Sequence, residues 1–233
     1  MSVLVYTENW DGKFKKLSYE LVSYAAGLAK LTGSSVTALS VGNVDQAELR
    51  SLGDYGASKI ISVAGDNLSV LDSQAYAFVL SEIAAKEGSK IIVIANNNTG
   101  KAIAPRLSVR MKAGIASGVA KLPVNLNPFT VYKRAYSGNA FAHMVINTEV
   151  KIITLAQNSY DLVKTGNNAV IENVPVSVDG SLFRTTVKNV EKQSGKLLLT
   201  DADIVISGGR GMKSPDNWGP LVELADLLGG ATA

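Results

Sequence analysis

The run Ser207-Gly208-Gly209-Arg210-Gly211 places three glycines and an arginine within five residues, directly after the apolar segment Asp203-Ile204-Val205-Ile206. Ser214-Pro215-Asp216-Asn217 follows, with serine suited to cap a helix, proline at the first helical position and aspartate in the first turn. A strand, a glycine turn and a capped helix, in that order, are how α/β proteins hold phosphate. Glycine lets the backbone approach the anion, the first N–H groups point at it, and the helix dipole favours its charge. Arg210 adds a guanidinium able to make a charge-assisted contact. The same residues are equally compatible with a turn that only joins a strand to a helix. The spacing is not G-x-G-x-x-G, so the NAD-type fingerprint is absent. In Gly211-Met212-Lys213-Ser214, Met212 stands where a Walker A loop needs glycine, which argues against a kinase or ATPase.

A second polar junction, Asn96-Asn97-Asn98-Thr99-Gly100-Lys101, follows the apolar run Ile91-Ile92-Val93-Ile94, at the strand end where open α/β sheets bind ligands. Its functional reading is an adenine-nucleotide site in a regulatory domain. Its structural reading, which is preferred, is an ordinary polar loop. The chain has no cysteine, which excludes disulfides, thiolate metal sites, cysteine nucleophiles and iron–sulfur ligation. The single histidine, His143, leaves little for a His-based metal site or a Ser–His–Asp mechanism, and within Ala140-Phe141-Ala142-His143-Met144-Val145 it reads as structural.

The elements that must carry these loops alternate over the first hundred residues. Val3–Tyr6, Ser35–Val41, Lys59–Val63 and Lys90–Ala95 are short apolar runs expected as buried parallel strands. Between them, Leu17, Leu21, Ala25, Leu28 and Ala29 share one helical face that stops at Thr32-Gly33. A short helix is expected from near Asp45. Another starts at Asp72 or Ser73 and buries Ala75, Phe78, Val79 and Ile83. After Arg110 the segments Gly114–Leu122, Thr130–Tyr136, Phe141–Ile146 and Lys151–Leu155 read as successive strands, with a turn at Tyr136-Ser137-Gly138-Asn139-Ala140. The fold class expected is α/β: a doubly wound, mostly parallel sheet with added antiparallel strands, followed by the first strand–helix unit of a second α/β domain. Residues 159–179 read as a connection, and the domains are drawn as 1–185 and 186–233. Val187–Gln193 is expected to be helical, and Trp218, Leu221, Val222, Ala225 and Leu228 form the stripe of the last helix, ended by Gly229-Gly230.

One strand and one helix cannot enclose a core, so the second unit is expected to be an incomplete piece of a longer domain. Charged residues make up only 18% of the chain, which favours a surface used in subunit or domain contacts. The net charge is +3, and between Lys101 and Val150 seven Lys and Arg residues face Glu149 alone. With no dense basic run or binding motif, this bias reads as a solvated face or a surface for an acidic protein, and no nucleic acid is expected. No segment is apolar enough to insert in a membrane, and the chain enters a strand at once, so a cytoplasmic protein is expected.

Ala202 to Ser214, followed by Asn217 and Glu223-Leu224-Ala225-Asp226, is similar to the opening of the FAD domain in electron transfer flavoprotein alpha subunits. Pro105-Arg106-Leu107 and Tyr136-Ser137-Gly138-Asn139-Ala140 are also arranged as in those subunits, so the resemblance runs nearly the whole chain in order. It implies FAD as cofactor, with Arg210 as a direct contact and Ser207, Gly208, Gly209 and Gly211 shaping the backbone around it. It also implies a beta subunit as partner, holding AMP or a second FAD. Electrons would come from flavin dehydrogenases such as acyl-CoA dehydrogenases and pass to a quinone reductase or another acceptor. The chain would be a carrier subunit, not an enzyme, with its first domain as scaffold. Family members continue beyond the segment matched here with further flavin-binding residues, so the FAD site is expected to be incomplete in this chain.

Overall fold

The computed structural model describes residues 2–183, 185–190, 197–199 and 202–233. The chain divides into two compact units, Met1–Thr186 and Val187–Ala233. The first contains β1 (Ser2–Tyr6), a hairpin of β2 (Asn9–Trp10) and β3 (Lys13–Phe14), α1 (Lys16–Thr32), β4 (Ser35–Val41), α2 (Gln46–Ser51), β5 (Lys59–Val63), α3 (Ser73–Lys86) and β6 (Ile91–Ala95). It continues with α4 (Asn98–Met111), β7 (Gly114–Val119), β8 (Asn125–Leu126), β9 (Phe129–Ala135), β10 (Ala140–Val145), β11 (Lys151–Leu155) and β12 (Val170–Asn173). Ten strands form one sheet in the order β10-β9-β7-β11-β6-β1-β4-β5-β12, with β8 paired on β9. From β7 to β12 the neighbours are parallel; β8, β9 and β10 are the antiparallel addition.

The central strands bury both faces. Val3 and Val5 enter one core with Ile60, Val93 and Ile153, against Leu21, Ala25 and Leu28 of α1 and Leu49 of α2. Leu4 and Tyr6 enter the other with Ile61, Ile92 and Ile152, against Val79 and Ile83 of α3 and Leu107 of α4. The period-two alternation of side chains thus places helices on both faces, the doubly wound arrangement. Each fully buried Leu or Ile contributes about 1.5–3 kcal/mol. The helix ends follow the residues expected. Gly33 turns left-handed (φ 62°) after α1, and the Asp72 carboxylate accepts the Gln74 and Ala75 N–H groups at 2.9 and 3.1 Å ahead of α3.

The segment 159–179, expected as a connection between domains, is instead a strap belonging to the first unit. Glu20, buried on α1, accepts N–H bonds from Asn158 (3.1 Å), Ser159 (2.7 Å) and Tyr160 (3.1 Å). Ser23 Oγ accepts the Val163 N–H at 3.1 Å. The strap then adds β12 to the sheet edge beside β5, and Val174, Val176, Val178 and Phe183 pack on the second core. Lys59 clasps this edge, bonding Glu172 at 2.8 Å and Glu87 at 2.7 Å, while Lys86 reaches Glu172 at 2.7 Å.

In the second unit β13 (Val205–Ile206) pairs in parallel with β14 (Ala231–Thr232), a strand the sequence reading did not anticipate. Between them lies α5 (Gly219–Leu228), closed by left-handed Gly229 (φ 63°). The expected helix start at Ser214 is a 3-10 turn, Pro215–Trp218, whose cap is the Ser214 hydroxyl accepting the Asp216 N–H at 3.3 Å. Of the stripe, Ala225 is buried, Trp218 and Leu221 are half-buried, and Val222 and Leu228 are exposed. Residues 187–190 carry no regular secondary structure where a helix was expected, and the rest of that stretch, 191–193, lies outside the described residues.

Candidate functional site

Ser207–Gly211 occupies the end of β13, where the backbone leaves the strand and must reach the start of α5. The Gly208 N–H donates to the Ala233 carbonyl at 3.0 Å, which ties the loop to the strand beyond α5. A 3-10 turn at Arg210–Met212 is closed by Met212 N–H to Gly209 O at 3.0 Å and Lys213 N–H to Arg210 O at 3.1 Å. Lys213 then takes φ 64°, ψ −42°, a sterically costly conformation for a side-chain-bearing residue, and turns the chain toward Ser214. Asn217 holds this corner, donating from Nδ2 to the Met212 carbonyl at 2.7 Å.

The three glycines serve different ends. A Cβ on Gly208 would lie 2.6 Å from Leu221 Cδ1, so this glycine lets α5 pack beneath the loop. Gly209 and Gly211 have nothing within 4 Å of a built Cβ, and neither has a positive φ. Among the described residues, nothing in the packing requires glycine at these two positions. Among the described residues, the N–H groups of Gly209, Arg210 and Gly211 find no acceptor, and Arg210 has no carboxylate partner. Ser207, Gly209, Arg210 and Gly211 are exposed, and Gly208 is half-buried. The loop therefore presents unspent donors and one cation on a surface cleared of side chains, which suits an anionic group such as a pyrophosphate. All five residues expected at the site lie on this one loop.

The other junction, Asn96–Lys101, is arranged differently. It lies at the end of β6, where the sheet order reverses beside β1. There the carboxylate of Glu8 fills the position an anion would take: Oε2 accepts Asn97 Nδ2 and Oε1 accepts the Thr99 hydroxyl, both at 2.6 Å. Asn97 caps α4 by accepting the Gly100 N–H at 2.8 Å. A Cβ on Gly100 would lie 1.7 Å from the Ala95 carbonyl oxygen, so this glycine serves strand–helix packing. Burial, then the negative charge of Glu8, pushes the Tyr76 phenol up to about 12. No local spacing points to Glu8, because its partners lie about ninety positions along the chain. His143 is exposed on β10 beside Tyr132, rather than built into the core. Among the described residues no group of three His, Asp or Glu side chains gathers as a metal site.

Residues 3–179 match the family profile described as the electron transfer flavoprotein domain, which covers well over half of the chain. The chain belongs to the electron transfer flavoprotein family. Residues 198–233 match the electron transfer flavoprotein FAD-binding domain, a stretch that contains β13, the glycine loop, α5 and β14. The chain is similar to the electron transfer flavoprotein subunit alpha of Bacillus subtilis, with 27% identity over 232 residues, 98% of this chain and 70% of that protein. The corresponding subunit of Syntrophomonas wolfei is 28% identical over 228 residues, 97% of this chain and 71% of that one. A lactate dehydrogenase (NAD(+),ferredoxin) subunit of Acetobacterium woodii is 25% identical over 235 residues, 99% of this chain and 56% of that protein. An electron transfer flavoprotein fold of this kind agrees with the doubly wound first unit.

Proposed function

We propose that this chain is the flavin-holding subunit of a two-subunit electron carrier, with Ser207, Gly208, Gly209, Arg210 and Gly211 contributing to an FAD site. The observation that carries this reading is the glycine loop: among the described residues, three N–H groups without acceptors, two glycines with no packing neighbour, and a guanidinium without a carboxylate partner share one surface. The match of this unit to an FAD-binding domain supports FAD as the anionic ligand. Gly209 and Gly211 let a phosphate reach the backbone, Arg210 offsets its charge, and the exposed Ser207 hydroxyl offers a further donor. Gly208 has spent its N–H on Ala233, so its part is to seat the loop on α5. When bound, FAD supplies the reversible electron uptake that the side chains cannot, while the protein binds and orients it. The residues assigned here make up part of the FAD site.

In this reading the first unit is scaffold for a beta subunit, which holds AMP or a second FAD. Soluble flavin dehydrogenases, acyl-CoA dehydrogenases among them, donate electrons, and a quinone reductase or another acceptor takes them. The name of the Acetobacterium woodii relative, a lactate dehydrogenase (NAD(+),ferredoxin) subunit, supports a link to dehydrogenases as a class. The chain itself transforms no substrate. A cytoplasmic setting is compatible with the described residues, where no helix is long and apolar enough to cross a membrane. An adenine-nucleotide site at Asn96–Lys101 is disfavoured, because Glu8 occupies it.

Replacing Arg210 with alanine in the assembled complex tests the site. One charge-assisted contact contributes about 1.5–3 kcal/mol, so FAD affinity falls roughly tenfold to a hundredfold. FAD content after gel filtration reports the loss. Unchanged flavin affinity would show that the loop is only a connector.

A further inference from the structure

The corner between the glycine loop and α5 is built against conformational preference. Lys213 has φ 64°, ψ −42°, and the Ser214 N–H donates to the Met212 carbonyl at 2.7 Å, two residues back. That is a γ-turn of the positive-φ kind, the rare and strained one. The loop carries three glycines, yet Gly208, Gly209 and Gly211 all keep φ outside the left-handed range, and the left-handed position falls to a lysine. Lys213 is exposed, and among the described residues it forms no ion pair that offsets the strain. What holds the turn is Asn217, whose Nδ2 donates to the same Met212 carbonyl at 2.7 Å, so that this oxygen takes two donors.

A second observation is how the turn sorts its backbone groups. The Gly209 carbonyl accepts the Met212 N–H at 3.0 Å, the Arg210 carbonyl accepts the Lys213 N–H at 3.1 Å, and the Met212 carbonyl is doubly engaged. Among the described residues the N–H groups of Gly209, Arg210 and Gly211 find no acceptor. These three carbonyls are therefore spent inside the turn, while three donors are left outside it. An anion is attracted by N–H groups and repelled by carbonyl oxygens, so a phosphate-facing loop needs this sorting and a plain connector does not. Strained backbone of this kind persists where the surrounding bonds impose it, and it concentrates at binding sites.

We infer that Asn217 is a positioning residue for the flavin phosphates: by latching the Met212 carbonyl it holds the strained turn at Lys213, and that turn keeps carbonyl oxygens off the surface that Arg210 and the loop N–H groups present. Asn217 acts through the loop and not on the ligand. The backbone of Lys213, not its ammonium, is the working feature. The inference rests on the FAD reading of this loop and names the residue that keeps its donors in order.

The test compares Arg210→Ala, Asn217→Ala, the two together and Lys213→Gly in the assembled complex. FAD affinity is read by fluorescence titration, and phosphorus NMR of the bound FAD reads the surroundings of its diphosphate. Asn217→Ala weakens FAD binding about threefold to tenfold, the worth of one neutral hydrogen bond, and shifts the phosphorus resonances. The double variant loses less than the product of the two single losses, because both changes act on one loop. Lys213→Gly adopts the left-handed turn without strain and keeps the wild-type affinity within about twofold. If Arg210→Ala leaves FAD affinity unchanged, the FAD reading of the loop fails and the inference falls with it. If Arg210→Ala weakens binding while Asn217→Ala binds as wild type with unshifted resonances, the loop holds FAD and Asn217 has no part in it. An Asn217→Ala complex that only melts earlier, with the resonances in place, makes Asn217 a prop for α5 and overturns the inference. Losses that multiply in the double variant make Asn217 an independent contact, and a Lys213→Gly complex as weak as Arg210→Ala makes the ammonium the working feature; either result overturns it as well. Should Asn217→Ala fail to assemble, Asn217→Ser is read in its place, since it keeps a polar side chain at this exposed position but is too short to reach the Met212 carbonyl.

Discussion

Replacing Glu20 with alanine should loosen the strap, residues 159–179, that packs on the first unit. The carboxylate is buried, at 2% exposure, and three successive N–H groups converge on it at 2.7–3.1 Å. A hydrogen bond to a charged acceptor contributes about 1.5–3 kcal/mol, and a buried donor left without a partner costs about 1–3 kcal/mol. Two effects reduce the total: alanine removes a desolvated charge, and Ser159 and Tyr160 are only half-buried, so water can recover part of the bonding. The expected loss is about 3 kcal/mol. For a unit of this size that is a fall in melting temperature of about 6–12 °C. Glu20→Gln keeps one acceptor oxygen and should lose about half as much. Urea denaturation gives the free energy, and hydrogen exchange at 158–160 and 170–173 locates it. A Glu20→Ala variant within about 0.5 kcal/mol of wild type, the range of an ordinary surface change, would refute the argument.

The glycines of the candidate loop should separate by role. Gly209→Ala and Gly211→Ala meet nothing within 4 Å, so they should leave the melting temperature unchanged while weakening FAD binding, as flavin titration of the complex would record. Gly208→Ala drives a methyl against Leu221 and should lower thermal stability by about 1–3 kcal/mol, seen by calorimetry. Gly100→Ala places a Cβ 1.7 Å from the Ala95 carbonyl and should sharply reduce the yield of folded protein, with thermal melting of any soluble material as the check. The bonds from Lys59, then from Lys86, hold the Glu172 carboxyl at about 2, below its ordinary 4.5. A depressed carboxylate contributes stability above its unfolded value and loses it as pH falls through the folded one, so the β12 clasp weakens between about pH 4.5 and 2. The protection of the 170–173 amides, taken relative to their intrinsic exchange rate at each pH, should fall over that interval in wild type and be low throughout in Glu172→Gln.

How much was legible depended on how local the determining residues are. β6 was readable because four consecutive β-branched residues, Ile91 to Ile94, leave little alternative to a buried strand. The glycine loop was readable because strand, glycines and helix cap lie within fifteen positions. β12 was hidden: Val170-Ile171-Glu172-Asn173 carries two apolar residues among polar ones, and its partners, Lys59 and Lys86, are distant in sequence. β14 consists of Ala231 and Thr232 after a glycine pair, too short to give a period. The division of labour among the glycines was also invisible, since Gly208 and Gly209 look alike until Leu221 is placed beneath one of them. Glu8 illustrates the general limit, because a side chain that fills a polar junction from the loop after a neighbouring strand leaves no spacing to read.

The central claim is that this chain holds part of a flavin site within a two-subunit carrier, and the direct test is the visible absorption spectrum of the chain copurified with its beta subunit. The account predicts a yellow complex with FAD bands that bleach when a flavin dehydrogenase and its substrate are added. A stable, folded, colourless complex that takes up no added FAD would contradict it.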